Sequence, residues 1–245
     1  MKKHLTGMIL ALALTVTGLA GAQAAYAATS VKADVIEYNT KSGVTTATGN
    51  VVITKEDGIV KAAAGEYNTK TSAGRLTGGV NAVQKDARTT CDTLVMHDEH
   101  HLTAIGSAMI KKQDKTLRAE QVEYYQDREF VETVGSWGEL ALDDGSVLKA
   151  DYINYDMRAG LATAEGQVTI VSEVRKLTAN ADKATYDLQQ EGIIELIGHA
   201  VAVQDGNTIT GNKLKITNND QTAQAFGQVK LVYIPVAQPV AKPVV

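Results

Sequence analysis

One pattern of about thirty residues recurs seven times along the chain, and a repeat of that length limits the fold more than any other feature. Its first copy, Lys32 to Ile53, reads KADVIEYNTKSGVTTATGNVVI. Each copy starts on a small residue: Ala33, Ala62, Cys91, Ala119, Ala150, Ala181 and Gly211, spaced by 28 to 31 positions. Five residues on stand Tyr38, Tyr67, Met96, Tyr124, Tyr155, Tyr186 and Ile216. A glycine follows each start after 15 to 17 residues, at Gly49, Gly78, Gly106, Gly135, Gly166, Gly198 and Gly227. Two features that hold register over seven copies mark a repeat architecture.

Each copy reads as two strands. Side chains alternate across a strand, so the third and fifth positions after the start share one face. Ile36 and Tyr38, Leu94 and Met96, Val122 and Tyr124, Ile153 and Tyr155, and Leu214 and Ile216 make that face apolar. The intervening positions are polar, as at Gln121 and Glu123 or Lys213 and Lys215. In the second strand the same face continues two and four residues past the glycine, through Val51 and Ile53, Val168 and Ile170, and Trp137. Glu139 breaks the pattern. Polar-out, apolar-in alternation belongs to a sheet covered on one side. A glycine within a strand marks a bulge or bend, so the seven glycines are expected to form a column where every strand bends. Turn sequences fall between strands, among them Asn39 to Gly43, Asp143-Asp144-Gly145 and Asp205-Gly206-Asn207. No segment carries a helical period, and prolines are absent before Pro235.

About fourteen strands with one continuous apolar face cannot stand open in water; the sheet must fold over on itself. With one tryptophan and two phenylalanines, its lining is dominated by valine, isoleucine, tyrosine, alanine and glycine. Small lining residues leave space for a ligand; the alternative is a narrow solenoid whose alanines pack without one.

Residues 1–27 read as a secretory signal peptide, with Lys2 and Lys3, an apolar run from Leu5 to Ala20, and the cleavage pattern Ala25-Tyr26-Ala27. Residues 28–234 form one repeat domain, and 235–245, PVAQPVAKPVV, an extended tail. Without the signal the chain has 22 basic and 28 acidic residues, a charge of −6, which argues against nucleic acid as a partner. Cys91 is alone, so stability outside the cytoplasm rests on the sheet, and it occupies a slot that elsewhere holds alanine. The run His97-Asp98-Glu99-His100-His101 falls at a turn, lacks the H-E-x-x-H pattern, and reads as solvated rather than metal-binding. Lys32, Lys61, Arg118 and Lys149 precede the small residue, and ion pairing with Asp34, Glu120 and Asp151 is the expected use of their charge. The strands at Val31–Tyr38 and Gln228–Ile234 each leave an edge unpaired. No catalytic constellation, nucleotide motif or cofactor signature is present in the sequence.

The repeated pair A-D-x-x-x-Y and A-x-G-N-V-x-I resembles the LptA/OstA family of periplasmic lipopolysaccharide-transport proteins. The resemblance is carried by Ala33, Asp34, Tyr38, Ala47, Gly49, Asn50, Val51 and Ile53, echoed at Ala150, Asp151, Tyr155, Ala164, Gly166, Gln167, Val168 and Ile170, and it spans residues 31 to 234. It implies an all-β, elongated, twisted β-jellyroll of mostly antiparallel strands, located in the periplasm. It also implies a non-enzymatic bridge that holds the acyl chains of lipid A in an apolar groove and stacks head to tail. The groove would be lined by Ile36, Tyr38, Val51, Ile53, Leu94, Met96, Val122, Tyr124, Ile153, Tyr155, Val168, Ile170, Leu214 and Ile216. Its partners would be lipopolysaccharide, an inner-membrane export complex and an outer-membrane translocon. The competing reading is a structural β-solenoid with a packed core and no lipid. A groove would separate the two.

Overall fold

The computed structural model describes residues 29–55, 58–142, 145–174, 176–187, 193–217 and 222–234. The expected signal peptide at 1–27 and the expected tail at 235–245 lie outside the described residues. Alternating side chains without a helical period make the described residues all-β. The strands are β1 (Thr29–Lys32), β2 (Val35–Asn39), β3 (Val44–Lys55), β4 (Gly58–Asn68), β5 (Gly74–Gln84) and β6 (Ala87–Met96). Then come β7 (His101–Lys112), β8 (Lys115–Tyr125), β9 (Phe130–Ala141), β10 (Val147–Ala150), β11 (Tyr152–Asp156) and β12 (Leu161–Ser172). The last are β13 (Leu177–Asp187), β14 (Ile193–Gln204), β15 (Asn207–Thr217), β16 (Thr222–Phe226) and β17 (Lys230–Val232). All seventeen belong to one sheet, and every pairing within it is antiparallel. The fourteen expected strands are all present, but three are interrupted: β1 and β2, β10 and β11, and β16 and β17 are each one strand broken in the middle.

The breaks and bulges fall at one level, the glycine. In β3, Gly49 and Asn50 both take left-handed φ, +77° and +50°, and together face the single residue Ala63 of β4. The same two-against-one step recurs at Gly78-Gly79, Gly106-Ser107, Gly166-Gln167 and Gly198-His199. Such a bulge bends the strand and sharpens its twist. Stacked across the sheet, the bends form a corner dividing it into two walls. One apolar cluster includes residues from both walls, for example Val51, Val80 and Val168 from one and Leu94, Val122 and Leu196 from the other. This is the folded-over jellyroll.

The repeat's small residue and its acid have separate jobs at this corner. Cys91, Ala119, Ala150 and Ala181 are buried on its inner side, where the walls meet and a larger side chain has no room. The acid lies over its outer side. Asp34 donates its N–H to Gly49 O at 2.9 Å and accepts from Asn50 Nδ2 at 2.9 Å. Asp151 donates to Gly166 O at 2.9 Å, and Asp182 meets His199 Nδ1 at 2.8 Å. For Asp34 and Asp151, the expected pairing with the lysines before them is therefore corrected. The ladder ion pairs use other carboxylates: Arg118 and Lys149 both bind Glu139, at 3.0 and 3.1 Å, and Lys183 binds Glu165 at 2.7 Å.

At Gly166 the demand for glycine is twofold. Its φ is +76°, and a Cβ there would lie 2.3 Å from Asp151 Oδ2 and 2.9 Å from Asp151 Cβ. The Oδ2 atom can swing away, but the Cβ cannot. Gly166→Val is expected to lower stability by about 2–4 kcal/mol, read as a fall in the thermal midpoint.

The fourth corner departs from the rest. In β9 three residues, Gly135, Ser136 and Trp137, lie between the paired Val134 and Gly138, so the strand resumes one residue later. Every side chain beyond the corner is turned over. Gly138 and Leu140 face inward opposite Ala119 and Leu117, while Trp137 is exposed and Glu139 reaches its two cations outside. The sequence expectation that Trp137 lines the interior is thus corrected, and Glu139 ceases to be an anomaly. Thr133 Oγ1 accepts the Ile153 N–H at 2.9 Å beside this wide bulge.

Candidate functional site

The residues facing the space between the walls divide into three groups. Val51, Ile53, Leu94, Met96, Val122, Tyr124, Ile153, Val168, Ile170 and Leu214 are buried. Tyr155 and Ile216 are partly buried against the same cluster. Ile36 and Tyr38 are exposed, at 46% and 57% of their surface. Register places them opposite Ala47 and Thr45, on the inner face, but β2 is the last strand at its end of the sheet and nothing described covers it. They stand at the open end of the interior.

The interior is not uniform along its length. Between β3 and β9 it is occupied by Tyr67, Leu76, Leu94, Met96 and Tyr124, with a small void of about 80 Å³ near β1. Between β9 and β14 the walls hold an apolar cavity of about 510 Å³. Leu140, Leu148, Ile170 and Leu177 line it from one wall; Ile153, Ala162, Ala164, Ala184, Tyr186 and Ile194 line it from the other. The register explains the space. Ala164 lies directly opposite both Ile153 of β11 and Ala184 of β13, and Ala162 lies opposite Tyr155 and Tyr186. Three alanines on two adjoining strands leave the room that Leu76 and Leu94 occupy in the earlier repeats. Ser146 and Ser172, joined Oγ to Oγ at 2.8 Å, form a polar margin. A volume of this size lies within the range of about 300–1,000 Å³ usual for small-molecule sites.

Lys115 brings one charged side chain to the cavity lining, whose other residues are neutral. Burial pushes the Tyr124 hydroxyl up to about 12 and raises that of Tyr155 above its ordinary value. Burial likewise pushes the Cys91 thiol up to about 11, keeping it protonated and unreactive at neutral pH. The tyrosines sit five residues past the corner, near the hairpin turns, with rings in the apolar space. What this arrangement can do is hold hydrocarbon: it offers contact area and few polar partners.

Both ends of the sheet are open among the described residues. β1 and β2 pair only with β3, and β16 and β17 only with β15. Val35, Ile36 and Tyr38 are exposed at one end, and Phe226, Leu231 and Val232 at the other.

The chain matches the sequence family described as the LptA/(LptD N-terminal domain) LPS transport protein over residues 30–161 and 89–222. It belongs to this lipopolysaccharide-transport family. The two matches overlap and begin two repeats apart, so the family pattern fits the meander in more than one register. No curated protein sequence matches the chain significantly. Among solved structures it is similar to LptH of Pseudomonas aeruginosa, described as the LptA homologous periplasmic component of the conserved lipopolysaccharide transport device. Identity is 15%, the TM-score is 0.23, and the match covers 85% of this chain and 96% of that one. The transport family and the folded-over sheet agree with the resemblance carried by the repeated A-D and G-N-V pairs.

Proposed function

We propose that this member of the family is a periplasmic bridge that binds lipopolysaccharide by its lipid A acyl chains, and that the cavity between β9 and β14 is where they enter the interior. The observation that carries the reading is the 510 Å³ apolar space lined by Ile153, Ala164, Ile170, Ala184 and Ile194. Each methylene moved from water into such a space contributes about 0.8 kcal/mol, so ten methylenes of one chain contribute about 8 kcal/mol before ordering costs. Few directional contacts are needed, and a transported lipid can slide past walls of this kind. The interior between β3 and β9 is occupied by side chains, so a path along the whole jellyroll requires its two walls to part there.

The unpaired edges support end-to-end stacking. An edge of N–H and C=O groups flanked by exposed apolar side chains is a template for strand addition. One end would join a second copy or an inner-membrane export complex, the other an outer-membrane translocon. The signal peptide at 1–27, the repeat domain at 28–234 and the tail at 235–245 complete this proposal.

Site-specific photocrosslinking in cells that make lipopolysaccharide tests it. A photoreactive residue at Ile153 or Ile170 is expected to give a lipopolysaccharide adduct. One at Lys183, on the outer face, is expected to give none. Folded protein without an adduct from either inward site would leave a packed structural solenoid as the better reading.

A further inference from the structure

Outside the interior, the turn that opens β7 gathers the densest set of ligating side chains among the described residues. The histidine run is a turn, as its sequence indicates: Asp98 Oδ1 accepts the N–H groups of His100 and His101 at 2.7 and 2.9 Å, and His97 donates its N–H to His101 O at 3.0 Å. The local sequence does not reveal what lies beside it. The antiparallel register of β7 with β8 sets His101 opposite Tyr125 and Thr103 opposite Glu123, so a carboxylate two dozen residues away in the chain arrives under two imidazoles.

We propose that His97, His101 and Glu123 form a binding site for one divalent transition-metal ion of the zinc class, on the outer face of the sheet. One donor atom from each of the three residues lies within 4.8 Å of the others. His97 Nε2 is 2.7 Å from Thr103 Oγ1, His101 Nε2 contacts Glu123 Oε2, and Thr103 Oγ1 donates to the same Oε2 at 3.0 Å. The two imidazole rings are stacked, 4.2 Å apart and 21° from parallel, so to share one ion the exposed His97 ring must turn until both ring planes meet at it. Bond lengths of about 2.0–2.2 Å in a tetrahedral site require donors about 3.3–3.5 Å apart. The exposed His97 ring would move inward, and the His101–Glu123 contact would open to admit the ion between them.

The donor chemistry selects the ion. Two imidazoles and one carboxylate suit zinc and its neighbours in the first transition row, whereas calcium and magnesium take oxygen donors. Three protein donors also leave a fourth position for water, the arrangement of an open site. The surroundings hold the donors in place. Gln121 Nε2 donates to the other oxygen of Glu123 at 2.8 Å, orienting the carboxylate as supporting residues do around metal sites. The His101 ring stacks on Tyr125 at 4.5 Å, and Arg128 lies 4.0 Å over the far side of that tyrosine. The site faces solvent and shares no residue with the cavity lining, so an ion here would pin the 97–101 turn to β8 without entering the interior.

The test is calorimetric titration of the tag-free, chelator-stripped secreted chain with zinc chloride. One equivalent is expected to bind and to raise the thermal midpoint. His101→Ala and Glu123→Gln are each expected to weaken binding at least tenfold, and His97→Ala similarly. His100→Ala and His199→Ala, which remove imidazoles outside the cluster, are expected to bind as the parent does. Cobalt substituted for zinc should show visible d–d absorption that disappears in Glu123→Gln, whose near-identical shape preserves the fold. Failure to take up a stoichiometric ion overturns the proposal. So does equal affinity in His101→Ala and Glu123→Gln when circular dichroism shows both folded.

Discussion

Replacing Ala164 with phenylalanine is expected to abolish lipopolysaccharide capture at the Ile153 crosslinking site while leaving the thermal midpoint unchanged or higher. Ala164 lies midway between Ile153 and Ala184 on the wall of the 510 Å³ cavity. A phenyl ring placed there fills space that a lipid chain would occupy. Overpacking normally costs about 1–3 kcal/mol because neighbours are forced off their rotamers, but here the ring enters a void. Filling an existing cavity commonly adds about 0.5–2 kcal/mol. Binding and stability should therefore move independently, which separates a carrier from a structural solenoid. In a carrier, Ala164→Phe folds normally and yields less than a tenth of the adduct. In a solenoid the adduct is absent from the parent as well. An outward change of similar bulk, Lys183→Phe, controls for the substitution itself and should leave the Ile153 adduct intact.

The pattern of the repeat made the architecture legible. Alternation identified the inward face, and the glycine column identified where each strand turns from one wall to the other. Three things were not legible, each for a physical reason. The role of Asp34, Asp151 and Asp182 depends on a bulge that brings a residue sixteen or seventeen positions away over the glycine, and alternation alone pairs Asp34 and Asp151 with the wrong neighbours. The turnover of β9 depends on one extra residue at its corner; counting from Gly135 at the common offset puts Trp137 inside when it is outside. The spacing from Ala119 to Ala150 does not single this corner out, since Ala150 to Ala181 is equally long; Glu139 on the apolar face was the available signal. The location of the cavity depends on alanines adjoining across strands, which needs the register of β11, β12 and β13 together. The approach of Glu123 to the histidines is of the same kind, a cross-strand relation invisible in either segment alone.

Leu196→Ala is expected to be the most destabilising single truncation in the C-terminal half, at about 3–5 kcal/mol, with Leu214→Ala close behind. Both side chains are fully buried, and they face one another directly across β14 and β15. On its other side Leu196 faces Ala184, which is too small to move into the space left behind. The strands cannot close in either, because hydrogen-bonded ladders hold them on both sides. The cost should therefore approach the upper end of the leucine-to-alanine range, where the cavity persists. For a chain of this length, each kcal/mol lowers the thermal midpoint by about 2–4 °C, so the expected fall is about 6–20 °C. Because the two leucines touch the same space, the double variant should cost less than the sum of the singles by about 0.5–3 kcal/mol. Val174→Ala, at a site 77% exposed, should leave the midpoint unchanged. A meander in which each strand contacts only its neighbours also predicts where the damage spreads. Amide exchange should accelerate first in β13 to β16 and last in β3 to β7, as in other quasi-one-dimensional repeats. Uniform acceleration along the sheet would instead mean that the two walls couple all repeats into one cooperative unit, and that parting them locally for a lipid would be correspondingly costly.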